Sequence, residues 1–286
     1  MLAAECMIKL TALSSGRSNK MNKETNKNYP NNSSTVTLRW LGQMGLLIET
    51  PGTTVCVDYF ASPDDLRQCA PPIPAAELKG IDAFLGTHDH LDHIDHDAWK
   101  IWAGTLPEAK FIFPRMHLEA VLADGVSRQN AVGLNDGDCV TVGGLTIHAI
   151  AASHEFLDQD PGTGLYPYLQ YIIEGCGVRI HHAGDTVRYE GMLPKIKAFG
   201  PIDVQMLPIN GRDGRRYRRG CIGNMTWQEA ADLAGETAPG MVIPGHWDLF
   251  ADNSADPSEF ADYLDAKYPG QILCRIPKIM ETIEIL

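Results

Sequence analysis

The stretch Thr87-His88-Asp89-His90-Leu91-Asp92-His93, continued by Ile94-Asp95-His96, concentrates imidazoles and carboxylates in a chain whose 286 residues include only ten histidines. Neutral imidazole and carboxylate are the donors that zinc and similar divalent ions take. On an extended segment His88 and His90 project to one side. Asp92 and His93 follow where a strand would give way to a turn, so the stretch offers two donor pairs aimed at neighbouring points. A solvated polar loop is the plain alternative. Such loops rarely alternate His-x-His-x-Asp-His directly behind an apolar run like 81–85.

The elements that must position these residues read as hairpins with helices between them. Residues 36–48 read as one strand, 50–53 as a turn and 55–59 as a second strand that ends at Asp58. The proline-rich segment 61–79 reads as an irregular loop, of a length often found at the rim of a site. A short buried strand at 81–86 delivers the histidine-rich stretch, and a helix is expected from 95 to 103. Strand 110–114 and helix 116–124 follow. The next hairpins, 139–151 and 168–182, end at Ser153-His154-Glu155 and Ala183-Gly184-Asp185-Thr186. Strand 202–209 leads to a helix at 226–236, whose Thr226 and Glu229 form a capping box. Strand 241–244 ends at Gly245-His246-Trp247-Asp248, and 257–267 is the last clear helix before a C-terminal strand. Four strands thus end in polar clusters. Packed sheets covered by helices, in one domain over 36–286, are the expected α+β architecture. Residues 1–35, rich in Asn, Lys and Ser from position 14, are expected to be a flexible tail.

The totals set bounds. A hydrophobic content of 44% and a charged content of 21% suffice for a full core. The net charge of −12 argues against a sequence-independent nucleic-acid binder, which needs a basic footprint. It leaves room for a small anionic substrate, because the field of a metal site acts locally. Seven scattered cysteines without a C-x-x-C pair suit a reduced, cytoplasmic setting. No secretory signal and no membrane span are read.

His88-x-His90-x-Asp92-His93, then the lone His154, then Gly184-Asp185-Thr186, then Pro244-Gly245-His246 is an ordered set that resembles the metallo-β-lactamase fold hydrolases. The resemblance runs from about residue 38 to His246. Within that superfamily the chain looks most like the ascorbate-6-phosphate lactonase-like branch. The phrases that carry this are Trp40-Leu41-Gly42, Ile81-Asp82-Ala83, Thr87-His88-Asp89-His90, Gly184-Asp185-Thr186 and Ile202-Asp203-Val204. The resemblance implies a four-layer αββα sandwich holding two divalent ions, zinc by default and manganese as the alternative. One ion would take His88, His90 and His154, the other Asp92, His93 and His246, with Asp185 between them. Asp92 and Asp185 would be the catalytic carboxylates. A hydroxide bridging the ions would attack a small, anionic ester or lactone. A phosphodiesterase or nuclease on the same core is the alternative. A di-iron redox protein and a metal-free binding protein are weaker rivals, because His90 stands where redox members favour an acid and because the donor set is intact.

Outside the donors, Arg212, Arg215, Arg216, Arg218 and Arg219 crowd one loop. Arginine forks suit phosphate and carboxylate, so Arg215 and Arg216, with Tyr189, are candidate substrate contacts; a solvated basic loop is the plain reading. His148 and His117 read as ordinary strand and helix residues. His181 or His182 could orient Asp185, and Asp95 and His96 could support the cluster from the first helix turn. Trp247 and Asp248 could orient His246. Partners are expected to be a small molecule, without nucleic acid or membrane, and the chain could form a homo-oligomer.

Overall fold

The computed structural model describes residues 35–285. The expected tail therefore lies, apart from Thr35, outside the described residues. From the N-terminal side, β1 (Val36–Gly42), β2 (Gly45–Thr50), β3 (Thr53–Val57), β4 (Ala83–Leu85), β5 (Lys110–Pro114) and β6 (Ala131–Leu134) lie side by side in that order. The second sheet runs β7 (Cys139–Val142), β8 (Leu145–Ala151), β9 (Leu169–Gly175), β10 (Val178–His182), β11 (Val204–Pro208), β12 (Met241–Gly245) and β13 (Leu273–Cys274). The last strand, β14 (Thr282–Ile285), returns to the first sheet and pairs antiparallel with β1.

The two sheets bury one face each against the other. Leu38, Trp40, Leu46, Ile48, Val55 and Val57 meet Ile147, Ala149, Tyr171, Ile173, Val204 and Met206 there. Their outer faces are apolar too. On the first sheet, Leu47, Cys56, Phe84 and Phe111 pack under α1 (His96–Thr105) through Trp99 and Trp102, and under α2 (Leu118–Ala123) through Val121. On the second, Ile172, Leu207 and Val242 pack under α3 (Met192–Lys197), α5 (Trp227–Thr237) and α6 (Pro257–Lys267). A single helical turn, α4 (Gly214–Tyr217), sits in the arginine-rich loop. The result is the expected α+β sandwich of four layers.

Burial on both faces explains the main misreading of an element. Thr37 and Arg39 in β1 are only half-buried, but every residue from 40 to 50 is buried, so no change of pattern marks the turn. Segment 36–48 therefore reads as one strand, whereas it is two, β1 and β2, turned sharply at Gly42-Gln43-Met44. Strand β6 and helices α3 and α4 also go unmarked in the sequence. The capping box is as read: Thr226 Oγ1 accepts from Glu229 N and the Glu229 carboxylate accepts from Thr226 N. Five thiols, Cys56, Cys69, Cys176, Cys221 and Cys274, are free. Cys139 departs from the reduced reading, being disulfide-bonded. No helix among the described residues is long and apolar enough to cross a membrane.

Strands β3, β4 and β5 run parallel, as do β10, β11 and β12, and β8 shares the direction of β10 because both pair antiparallel with β9. The segments that follow β3, β4, β8, β10 and β12 therefore leave the sandwich along one edge, carrying Asp58, residues 87–93, His154, Asp185 and His246. The crossing of two of these segments is tight. Gly184 has φ +56°, and a Cβ built on it would lie 2.7 Å from Cβ and Oγ1 of Thr87. Gly184→Ala is expected to lower stability by about 1–3 kcal/mol, from left-handed strain on a residue with a side chain. The contact with Thr87 adds to this. Thermal unfolding of the metal-free variant measures it, and an unchanged midpoint would reject the close approach.

Candidate metal centre

Residues 87–95 form bends and turns rather than an extended segment. The expected convergence is nevertheless reached, because the tight turn of chain brings the histidines round. His93 N and Ile94 N both donate to His90 O, at 3.0 and 2.9 Å. His88 Nε2 lies 2.8 Å from His90 Nδ1, and the two rings meet edge to face. His154 arrives from the end of β8, its ring centroid 5.1 Å from that of His88 and 5.0 Å from that of His90. Asp185, from the end of β10, points one oxygen at His93 Nε2 (3.4 Å) and the other at His246 Nε2 (3.1 Å) and His154 Nε2 (3.6 Å). Asp92 Oδ2 lies 3.5 Å from His246 Nε2 and 3.7 Å from His93 Nε2. All seven side chains singled out in the sequence are thus neighbours.

Three subsets bring one donor atom from each member within 4.8 Å of the others: His88, His90 and His154; His88, His93 and Asp185; Asp92, His93 and His246. Whether they suit a cation is tested by what the protein leaves unsatisfied. His93 Nε2 and Asp185 Oδ1 are buried, 3.4 Å apart, and without a hydrogen-bond partner. An unpaired buried donor or acceptor is costly, and a shared divalent ion would satisfy both atoms. The donor set, imidazole and carboxylate, fits zinc or manganese chemistry.

The protein also fixes which ring nitrogens are available. His154 Nδ1 lies 3.0 Å from Gly223 O. A carbonyl can only accept, so the proton sits on Nδ1 and the Nε2 lone pair faces the cluster. His93 Nδ1 is likewise held, at 2.7 Å, by Asp58 Oδ2. Burial pushes the His154 ring down to about 4, which keeps it neutral at ordinary pH. Burial and the neighbouring His93 hold His88 well below the usual imidazole range. His93 and His246 behave differently: burial opposes their charge, but the surrounding carboxylates, Asp185 foremost, outweigh it and raise both. The facing carboxylates respond in kind. Burial alone would raise Asp185, yet His246 and His93 pull it well below the usual carboxylate range.

Several residues that build this centre carry no signal as such in the sequence. Asp58 is completely buried and accepts three bonds, from Thr87 N (2.8 Å), Thr87 Oγ1 (2.7 Å) and His93 Nδ1. Its place at the end of an apolar strand, like that of Asp185, is the hint that could have marked it. Gln43 lies in the turn that splits 36–48. Its Nε2 donates to Asp92 Oδ2 (2.9 Å) and sits 3.1 Å from His246 Nε2, while its backbone oxygen accepts from His246 N (3.1 Å). Asp58, Gln43 and His246 all have left-handed backbones, with φ of 44°, 54° and 60°. Strain of this kind gathers where a site is held by its surroundings. The Tyr168 ring meets His154 edge-on, with centroids 5.4 Å apart.

The supporting residues proposed from the sequence divide. Asp95 caps α1 by accepting from Ala98 N, and also binds Ala61 N, Ser62 N and Ser62 Oγ, tying the proline-rich loop to the helix. His96 links Asp124 and Asp89, and His117 lies near the same Asp89, so both brace the backbone between His88 and His90. Asp248 acts on Gln43, accepting from its backbone N at 2.8 Å, and Trp247 stacks on Trp40. His181 is bound between Gln170 and Gln205, whereas His182 donates to Met44 O and its Nδ1 accepts from Gly184 N at 3.3 Å, holding the turn that precedes Asp185. His148 pairs with Glu174.

A cavity of about 660 Å³ opens over the donors, with His90, Asp92, His154, Asp185 and His246 in its lining. The structure does not bring Arg215, Arg216 or Tyr189 to it. The Tyr189 hydroxyl donates to Ala151 O at 2.6 Å. Arg215 is largely in solvent beside Asp252, and Arg216 is turned to Asn210 O, Ser254 O and Asp213. The arginine that reaches the cavity is Arg219, and it is paired with Asp252.

Comparison with known proteins agrees with this architecture. The model of the Beta-lactamase superfamily domain matches residues 53–247. A metal-dependent hydrolase of Caldivirga maquilingensis is 27% identical over 81% of this chain and 91% of its own length. One from Pyrococcus furiosus is 29% identical over 83% and 96%. A protein of Escherichia fergusonii named "Probable L-ascorbate-6-phosphate lactonase" is 25% identical over 79% and 73%. Among solved structures, a metallo hydrolase from Ignicoccus hospitalis superposes with a TM-score of 0.69 at 24% identity, covering 88% of this chain and 99% of that one. With the fold, the clustered donors and the matched model in agreement, the chain belongs to the beta-lactamase superfamily domain family and is a metal-dependent hydrolase of the metallo-β-lactamase fold.

Proposed function

We propose that this hydrolase opens a carboxylic ester or lactone of a small molecule with two divalent ions held by the seven clustered side chains. His88, His90 and His154 would hold one ion and Asp92, His93 and His246 the other, with Asp185 shared. The observation that carries the reading is the pair of buried, unsatisfied atoms facing each other across the cluster, His93 Nε2 and Asp185 Oδ1. Bound there, divalent ions supply Lewis acidity and bring the pKa of water towards neutrality. The chain's own residues do the rest. Asp58 and Gly223 O fix the His93 and His154 tautomers, Gln43 steadies Asp92, and the buried floor limits water to the open cavity side. In the net reaction the water oxygen bonds to the acyl carbon, the acyl–oxygen bond breaks, and the proton goes to the leaving alkoxide. A lactone thus opens to a hydroxy acid. Lactone chemistry is supported by the likeness to the E. fergusonii protein.

The phosphodiesterase or nuclease alternative gains little from the arginine loop, because Arg212, Arg215, Arg216 and Arg219 are each paired with a carboxylate and Arg218 does not line the cavity. The test is a panel of lactones, esters and phosphodiesters on protein stripped by a chelator and reloaded with zinc or manganese, with bound metal counted. The expected result is about two ions per chain and turnover of lactones that chelation abolishes and metal restores. Full lactone turnover by metal-free protein would sink the reading.

A further inference from the structure

The cavity over the donors is built for more than the reacting bond. Besides the donors, its walls carry Leu66, Leu91, Ile222 and Phe250. Leu66 is 74% exposed and Leu91 54% exposed, so two large apolar side chains stand in water at the mouth of a polar site. Apolar surface of this kind beside convergent polar groups marks the part of a pocket that holds a ligand's carbon skeleton. The charges of the rim point the same way. Apart from the histidines of the floor, Arg219 is the only basic side chain lining the cavity among the described residues. Its guanidinium is engaged by the Asp252 carboxylate and by Asp252 O at 3.1 Å. Asp64 and Asp252 add two carboxylates to the lining. A phosphate carried on the substrate would meet one guanidinium already paired with Asp252 and one further carboxylate, Asp64.

From this we infer that the cavity selects an uncharged substrate, a lactone or ester bearing an alkyl substituent, and seats that substituent against Leu66, Leu91, Ile222 and Phe250. The inference rests on the hydrolase reading for the reacting bond and replaces the anionic substrate expected from the sequence. The reactive carbonyl sits over the donors and the alkyl group runs towards the mouth. Binding strength then comes from apolar area removed from water and not from a cation.

The experiment uses the full chain loaded with zinc or with manganese. Five-membered lactones with side chains from methyl to hexyl are compared with the same ring carrying a phosphate ester on its side chain. For the neutral series kcat/KM is expected to rise about fourfold per methylene over the first few carbons, the factor that corresponds to burying one methylene. The phosphorylated ring is expected to fall about tenfold below its neutral counterpart, as the Asp64 carboxylate opposes it and the paired Arg219 offers no free cation. Leu91→Ala and Phe250→Ala should flatten the dependence on chain length. Leu91 is half in water, so its truncation leaves the fold intact. A second measurement does not need catalysis: titration calorimetry of the matching lactams, whose ring amide is not turned over. Lactam affinity that climbs with chain length, without lactone turnover, keeps the apolar pocket and removes the ester and lactone reading of the reaction. Turnover or lactam affinity indifferent to chain length, a preference for the phosphorylated ring, or no binding of any member overturns the inference.

Discussion

Asp58→Asn is expected to lower affinity for the ion at Asp92, His93 and His246 by about 10- to 100-fold while leaving the protein folded. The range is that of losing the group which orients a ligating histidine. Asparagine nearly matches aspartate in shape, and it tolerates the left-handed backbone found here, φ 44°. Its carbonyl can still accept from Thr87 N. What changes is the second oxygen, which becomes an NH2 facing Thr87 Oγ1 and His93 Nδ1. An amide NH2 can only donate, so His93 Nδ1 must become the acceptor and its proton moves to Nε2. That nitrogen is the one aimed at Asp185 and Asp92, and a protonated nitrogen cannot ligate a metal. Calorimetric titration of stripped protein with zinc reads the affinity, and circular dichroism reads the fold. Asp58→Ala separates tautomer from stability. It leaves Thr87 N buried without an acceptor, at about 1–3 kcal/mol, and His93 Nδ1 with only the longer contact to Thr87 Oγ1 at 3.3 Å, so it is expected to melt earlier as well as to bind weakly. Wild-type zinc affinity in Asp58→Asn would show that Asp58 does not act through His93.

The contrast between Asp58 and the seven donors shows what the sequence can and cannot disclose. His88, His90, Asp92 and His93 fall within six positions, and each later donor ends an apolar run. Type and spacing therefore announce them without any knowledge of the fold. Asp58 also ends an apolar run, but it stands alone, and only the parallel pairing of β3 with β4 brings it beneath Thr87. Gln43 is hidden more deeply. It lies within a run of residues buried on both faces of the first sheet, where no alternation marks the turn, and its partners Asp92 and His246 are 49 and 203 positions away. The arginine loop misleads for the opposite reason. Five cations close in sequence look like a phosphate site, but four of them, all except Arg218, are engaged by acids that mostly lie elsewhere in the chain: Glu229 and Asp252, besides the adjacent Asp213. Local composition reveals charge, and only the fold reveals whether that charge is already paired.

Asp185→Asn is expected to have the largest effect of any conservative change at the centre. On the two-ion reading, Asp185 is the member that faces both sets, with Oδ1 towards His93 and Oδ2 towards both His246 and His154. Its carboxylate and that of Asp92 are the only anionic donors in the seven. Two divalent ions held close together repel strongly, and in a buried site that repulsion is poorly screened. Halving the donor charge therefore weakens the second ion far more than the loss of one contact would. The substituted amide keeps the shape and one carbonyl oxygen, so the change isolates charge from size. Bound metal should fall from about two equivalents per chain to about one, and lactone turnover by about 100- to 1,000-fold, the range seen when one electrostatic stabiliser of a developing oxyanion is removed. The thermal gain on adding zinc should shrink in parallel, because a ligand at 100 times its Kd contributes about 2.7 kcal/mol per site. These three readouts are tied to one cause and should move together. A variant that retained both ions and their thermal gain yet lost turnover would place Asp185 in proton transfer to the leaving oxygen instead of in holding the ions.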